Sequence, residues 1–329
     1  MINIGFLGAG NFASTMADVV HRTEGVCLYG VASTDTSRAN SLKPQVVFES
    51  YEELITCEDV DLVYVLLSNH LHFPWVMAAL AHGKHVLCEK PLGLTAEEAA
   101  IMFDAAEAAG LILIEAYWHL WHPSFALAKS LMATGSIGEV VGIDAGFTHE
   151  MNFDDNFRAH ADFGGGMLLD LGCYPISAAT WLLDLPVLTN PLILEQEFNQ
   201  HGVDMNVKCS ARCGDVAVTI TASAQRPHRR WIEIFGTSGR ISFVDSAFSS
   251  APEPDDGTRL ICEVDGQSQE WQLPRSDPRS LMISEIANAI HSHRNGFEPS
   301  WSYLPDSKLS ILTAHAISVM QQSLQIRND

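Results

Sequence analysis

Apolar and polar positions follow two different rhythms along this chain, and the change falls near Trp118. Before it, short apolar runs alternate with stretches of helical period. Ile2–Leu7 reads as a strand, and Phe12, Met16, Val19 and Val20 then mark one face of a helix. Val26–Ala32 reads as a second strand and Leu62–Leu67 as a buried one. Pro74–His82 reads as a helix, Lys84–Cys88 as a strand, and Thr95–Ala109 as a helix opened by Thr95 and Glu98 at capping-box spacing. Leu111–Glu115 closes the series. This alternation predicts an α/β domain over residues 1–120: a doubly wound parallel sheet with helices on both faces.

Beyond Trp118, Pro123–Ala133 reads as a helix and Glu139–Thr148 as a strand; Met167–Leu183 is helical in pattern, interrupted by Pro175. Strict alternation follows, with Val203, Met205, Val207, Cys209 and Ala211 on one face, then Val216, Val218, Ile220 and Ala222. WIEIFGTSGRISF (231–243) is a hairpin signal. Two helices, about Ser280–His293 and Pro305–Gln325, end the chain, and APEPDDGT (251–258) reads as a loop. The expectation is a second domain, residues 121–329, of α+β type with a mainly antiparallel open sheet.

Composition narrows the function classes. The chain has 329 residues and a net charge of −21, which argues against nucleic acid and against anionic membrane surfaces as partners. An anionic cofactor must then be held by local donors. The longest apolar stretches, such as VDLVYVLLS, are about half a membrane span, and the N-terminus has no basic leader, so the expected location is the cytoplasm. Seven cysteines show no CxxC spacing, and the pairs His70/His72 and His119/His122 fall in no ligand motif, so no metal site is expected.

Gly8-Ala9-Gly10-Asn11-Phe12-Ala13 is G-x-G-x-x-A, directly after a strand and opening a helix. Gly8 permits the tight turn, Gly10 lets the backbone approach a pyrophosphate, and the helix N-terminus offers N–H donors. In that context the motif predicts dinucleotide binding. The strand that should end with the ribose-reading residue runs into Ser33, Thr34 and Asp35. Ser33 does not repel a 2′-phosphate, Thr34 adds a hydroxyl, and Arg38 could reach in, so NADP is favoured over NAD; Asp35 lies close enough to reverse that preference.

Lys90 stands just past the end of a predicted strand, on the sheet edge that carries the glycine turn, with Pro91 restricting its backbone. Far along the chain, GGGMLLDLGCYPIS (164–177) holds Asp170 and Tyr174 four apart, on one face if a helix runs through both. Hydride transfer from a carbinol needs a base for the hydroxyl proton. A free tyrosine, with a pKa near ~10, is too weak a base unless a nearby ammonium lowers it. Lys90 could supply that charge, and Asp170 could hold Lys90 charged or grip another hydroxyl.

The motifs G8-x-G-x-x-A13, E89-K90-P91, E115-A-Y-W-x-x-x-H-P123, G164-G-G-x-L-x-D170-x-G-x-Y174 and F235-G-T-S-G-R-I241 occur in order. Together they resemble the Gfo/Idh/MocA family, that of glucose–fructose oxidoreductase and inositol dehydrogenase. The resemblance implies an NAD(P)-dependent oxidoreductase acting on a hydroxyl of a sugar, polyol or cyclic diol, assembled as a homo-oligomer. Lys90 would be its catalytic lysine, with Tyr174 and Asp170 beside it. Asn11, Phe12, Ser68, Asn69, His72 and Glu89 join Gly8, Gly10, Ser33, Thr34, Arg38 and Lys90 as cofactor-side candidates, and Trp118 and Arg158 join Asp170 and Tyr174 on the substrate side. Tyr174 and NFRAHADFGGG (156–166) resemble the branch of xylose and dihydrodiol dehydrogenases. Two departures stand out: Leu120 where relatives usually carry Arg, and Ser68 where Pro usually precedes Asn69. A cofactor-binding sensor without chemistry and an NAD-dependent glycosidase are the alternatives within the family.

Overall fold

In the computed structural model, residues 1–151, 156–244, 247–248, 258–297 and 307–325 are described. Contacts divide the chain into two units, Met1–Trp118 with Pro278–Ser307, and His119–Asp277 with Lys308–Asp329.

The first unit runs β1 (Ile2–Leu7), α1 (Asn11–Arg22), β2 (Val26–Ala32), α2 (Thr36–Ser41), β3 (Val46–Phe48), α3 (Tyr51–Thr56), β4 (Leu62–Val65), α4 (His72–Ala81), β5 (His85–Cys88), α5 (Ala96–Ala108) and β6 (Leu113–Glu115). Its six strands are ordered β3-β2-β1-β4-β5-β6, all pairs parallel, which is the expected doubly wound sheet. The order reverses between β1 and β4, where such sheets bind ligands. Register aligns the strand ends: Leu7 lies opposite Ala32 and Val65, Val65 opposite Cys88, and Cys88 opposite Glu115. The residues that follow, Gly8, Ser33, Glu89 and Lys90 among them, therefore leave from one edge. Thr95 caps α5 as its spacing predicts, its hydroxyl accepting from Glu98 N at 3.1 Å while the Glu98 carboxylate accepts from Leu94 N at 2.7 Å. The short elements α2, β3 and α3 carry no extended apolar period, and the sequence reading passes over them.

The second unit runs α6 (Pro123–Ala133), β7 (Val140–Thr148), α7 (Cys173–Leu182), β8 (Thr189–Phe198), β9 (Asp204–Cys213), β10 (Val216–Ser223), β11 (Arg229–Gly236), β12 (Gly239–Phe243), β13 (Thr258–Val264) and β14 (Gln267–Leu273), with α8 (Pro278–Arg294) and α9 (Ser307–Gln325) closing the chain. The eight strands form one mixed sheet, β14-β13-β12-β11-β7-β10-β9-β8, antiparallel except for the parallel β7–β10 pair. One face is the core: Val207, Cys209, Ala211, Val218, Ile220 and Ala222 are all buried, as their alternation predicts. The helix expected over Met167–Leu183 forms, but its start, Leu168–Gly172, is wound as a wide π turn before α7. Pro175 then falls in the first turn of α7, where a missing N–H costs least. β8 escapes the sequence pattern because its Leu192 and Leu194 are exposed and its register slips, and β14 because it is largely polar. The APEPDDGT loop, apart from Thr258, lies outside the described residues.

α8 is far along the chain yet packs on α1 and β1 in the first unit. Its His293 ring lies 5.4 Å from His85, and Arg294 pairs with Asp61. Among the described residues, no helix is long and apolar enough to cross a membrane, and no group of three or more His, Cys, Asp or Glu side chains could hold a metal ion.

Candidate active site

At the end of β1, Gly8 adopts φ +105, and a side chain there would meet the Leu66 carbonyl oxygen at 2.6 Å. Only glycine serves. Gly10 is the N-cap of α1, without a side-chain cap, and a Cβ built on it meets nothing within 4 Å. No packing inside the protein demands glycine at this position; open space beside an uncapped twelve-residue helix N-terminus suits a dinucleotide phosphate. The residues present thus fit the cofactor. At the end of β2, Ser33 Oγ accepts from Asp35 N at 3.1 Å. The Asp35 carboxylate is occupied as the cap of α2, accepting from Arg38 N at 3.0 Å and pairing with Arg38 Nε at 3.5 Å. Thr34 and Arg38 are exposed beside it.

The turn after β5 is fixed residue by residue. Tyr64 Oη donates to Glu89 Oε1 at 2.5 Å. Burial pushes the Glu89 carboxyl up to about 7, against the opposing pulls of Tyr64 and the Lys90 charge. Lys90 follows, half-buried, joined to Pro91 by a cis peptide. His72, expected to face the cofactor, is fully buried; Nδ1 lies 2.7 Å from the Pro91 carbonyl oxygen and Nε2 3.0 Å from that of Leu67. Both partners are acceptors, so a neutral ring donates to one and an imidazolium to both; burial lowers its pKa toward the neutral form. Leu92 N donates to Glu115 Oε1 at 2.8 Å, and Glu115 is 2% exposed. Glu89, Pro91 and Leu92 are each tied down around Lys90. Ser68 precedes a short 3₁₀ turn, Asn69–Leu71, in which Asn69 is buried.

In the second unit, Gly165 and Gly166 approach the chain's own groups. A Cβ at Gly165 would strike the Arg158 carbonyl at 2.4 Å, and one at Gly166 (φ +112) the Asp204 carboxylate at 2.3 Å. Asp204 in turn accepts from Leu168 N at 2.8 Å, tying off the start of the wide turn, and burial raises its carboxyl to about 7. Within that turn Asp170 is buried and pairs with Arg158 Nε at 2.8 Å; Arg158 stacks 4.5 Å over Phe157. Tyr174 is packed among rings, 5.2 Å from His119, 5.4 Å from Phe147 and 5.9 Å from Phe248. Arg230 of β11 lies 4.6 Å from the Phe147 ring and donates to the Phe248 carbonyl at 2.9 Å. Trp118 belongs to the first unit and is buried, with Arg279 over its ring at 6.0 Å; Leu120 is buried core.

A family model described as an oxidoreductase family with an NAD-binding Rossmann fold matches residues 2–117, and the Gfo/Idh/MocA C-terminal domain matches 125–242. The chain belongs to the Gfo/Idh/MocA family of NAD(P)-dependent oxidoreductases. It is 32% identical over 255 residues to a dTDP-3,4-didehydro-2,6-dideoxy-alpha-D-glucose 3-reductase of Streptomyces violaceoruber, covering 75% of this chain and 72% of that protein. It is 30% identical over 268 residues to D-xylose 1-dehydrogenase (NADP(+)) 2 of Haloferax volcanii, covering 80% and 81%. Among solved structures it is similar to a 3-ketoreductase from Actinomadura kijaniata in complex with NADP and TDP-benzene, with a TM-score of 0.86, 26% identity and coverage of 98% and 97%. As a Gfo/Idh/MocA member the chain carries both family domains, with the glycine turn and Lys90 in one and Asp170 and Tyr174 in the other. Sequence reasoning passes over Arg230, Asp204 and Tyr64. The only available signal is an Arg pair, Arg229-Arg230, at the start of a β run.

Proposed function

We propose that this chain interconverts a secondary alcohol and a ketone, or a lactol and a lactone, on a sugar-like ring, with Lys90 and Tyr174 as its catalytic residues. NADP, favoured by Ser33, Thr34 and Arg38 over a capping Asp35, would accept or deliver the hydride at nicotinamide C4. In the oxidative direction Tyr174 takes the hydroxyl proton and passes it on to solvent, while Lys90 donates a hydrogen bond to the substrate oxygen. Asp170, held by Arg158, accepts a hydrogen bond from a neighbouring substrate hydroxyl. The relatives' names support a sugar as substrate: one acts on a nucleotide-linked dideoxy sugar, another on D-xylose. The carrying observation is the placement of Lys90 in a turn whose flanking residues are fixed by Tyr64, His72 and Glu115. A cytoplasmic homo-oligomer is the accompanying expectation.

The test is nicotinamide absorbance on a panel of aldoses, inositols, polyols, cyclic diols and dTDP-linked keto sugars, each with NADP(H) and NAD(H). Turnover that is lost in Lys90→Met, with cofactor binding retained, supports the reading. Full turnover in Lys90→Met overturns it.

A further inference from the structure

Tyr174 must lose its proton to act as a base, and a buried phenol resists ionising because its phenolate loses water's stabilisation. It is 7% exposed and walled by the rings of His119, Phe147 and Phe248, so its surroundings are mainly apolar. A nearby permanent cation would offset that cost.

The second unit places one there. Arg230 enters from the start of β11 and lies against the same aromatic cluster. Its guanidinium sits 4.6 Å from the Phe147 ring, and Nη1 donates to the Phe248 carbonyl at 2.9 Å. Phe147 and Phe248 stack at 6.2 Å with 9° between their planes, and both rings border Tyr174. The two contacts aim the guanidinium and restrict its swing toward solvent. Arginine stays protonated throughout the working range, and its planar head tolerates an aromatic bed better than an ammonium does.

We propose that Arg230 is a positioning residue that holds Tyr174 in reach of the phenolate, supplying from β11 a fixed positive charge to the proton-transfer residue. The proposal deepens the role given to Tyr174 above and rests on it. Electrostatics agree in direction: burial lowers the Arg230 pKa, and interaction with Tyr174 raises it, which by reciprocity favours the ionised phenol. Among the described residues, other titratable groups near Tyr174 include His119 across the ring contact and Asp170 in the π turn ahead of α7, paired with Arg158. His228 and His149 lie beyond Phe147 and Arg230, their Nδ1 atoms 3.0 Å apart. The Arg230 charge lowers the His228 pKa, after the larger effect of burial, so His228 is neutral when Tyr174 titrates and does not substitute for the arginine.

The experiment is a phenol titration of the full-length protein, followed by ultraviolet phenolate absorbance or tyrosine-ring NMR, with Tyr174→Phe subtracted to isolate Tyr174. Arg230→Gln should raise the Tyr174 midpoint by about one pH unit, Arg230→Met likewise, and Arg230→Lys by much less. Once a substrate is in hand, the basic limb of kcat/KM should move by the same amount. Two results overturn the proposal: an unmoved midpoint in a folded Arg230→Gln or Arg230→Met variant, or an equal rise in Arg230→Lys, which would make shape rather than charge responsible. The titration requires neither substrate nor cofactor. Loss of turnover in Tyr174→Phe with an unmoved phenol in Arg230→Gln would keep the reaction assignment and reject the role of Arg230.

Discussion

Lys90 and Tyr174 are held in opposite ways. The turn of Lys90 is fixed by buried polar side chains reaching its neighbours: Tyr64 to Glu89, His72 to Pro91, Glu115 to Leu92. Such contacts are directional, and each leaves a buried donor or acceptor exposed to a desolvation penalty if its partner is removed. Tyr174 is fixed by ring packing, with Phe147, Phe248 and His119 as its walls. Packing sets the position of the phenol and by burial favours its protonated form, so a charge such as Arg230 is needed to favour the phenolate. The contrast is between a cation whose frame is made of hydrogen bonds and a phenol whose frame is hydrophobic.

The contrast can be broken most directly at the two groups themselves. Lys90→Met and Tyr174→Phe should each lower kcat by roughly 10²–10⁴-fold, the usual worth of a positioned proton-transfer group. NADP titration by fluorescence should show cofactor affinity nearly unchanged in both; a variant that turns over normally would remove its residue from the mechanism.

Glycine substitutions sharpen the difference between fold and ligand. Gly10→Ala adds a methyl group that meets no protein atom, so the thermal midpoint should stay while the NADP dissociation constant rises at least about tenfold, about 1.4 kcal/mol. Gly8→Ala forces φ +105 and a contact with the Leu66 carbonyl, so it should lower thermal stability as well as binding. Equal effects of the two on melting would contradict the cradle at Gly10.

His72→Ala tests the polar frame. It removes the ring lying between the Pro91 and Leu67 carbonyls, stranding the one to which the neutral imidazole donates, and should destabilise by roughly 1–3 kcal/mol. Because the Pro91 carbonyl is one of the two, kcat should fall more than KM changes. A variant that loses stability but keeps kcat would make His72 a purely structural residue.

A pH dependence is expected from Asp204. Its folded pKa is raised from 3.8 to about 7, so between those values the folded state holds a proton that the unfolded chain has released. Its contribution to stability is therefore full below pH 3.8 and falls as pH rises to about 7, then stays level. Asp204→Asn keeps an acceptor for Leu168 N and should flatten that part of the melting-temperature profile. An unchanged slope between the two proteins would place the titration elsewhere.

Several of these features are legible in sequence because local chemistry encodes them. The glycine turn sits between strand and helix as its motif demands, and Thr95 caps α5 at its expected spacing. The alternation of β9 and β10 marks the buried face of the mixed sheet. What escapes reading depends on distant segments. His72 looks like a cofactor neighbour from its position, and only the fold shows its ring facing the Pro91 and Leu67 carbonyls. Gly165 and Gly166 are glycines because the Arg158 carbonyl and the Asp204 carboxylate come close to them, contacts that only the fold creates. Arg230 acquires meaning when β11 pairs with β7 and brings it to Phe147, a partner more than eighty residues away in sequence. The π turn at Leu168–Gly172 has no periodic signature of its own.

The grouping of α8 with the first unit has a consequence for biosynthesis. The parallel sheet is complete once β6 has left the ribosome, but the helix that packs on α1 and β1 begins only at Pro278. For the whole interval in which the mixed sheet is being translated, that flank of the nascent Rossmann unit lacks its native cover. Its Asp61 waits for Arg294, and His85 waits for His293. The Rossmann unit thus emerges before the mixed sheet and gains its last helix only after it.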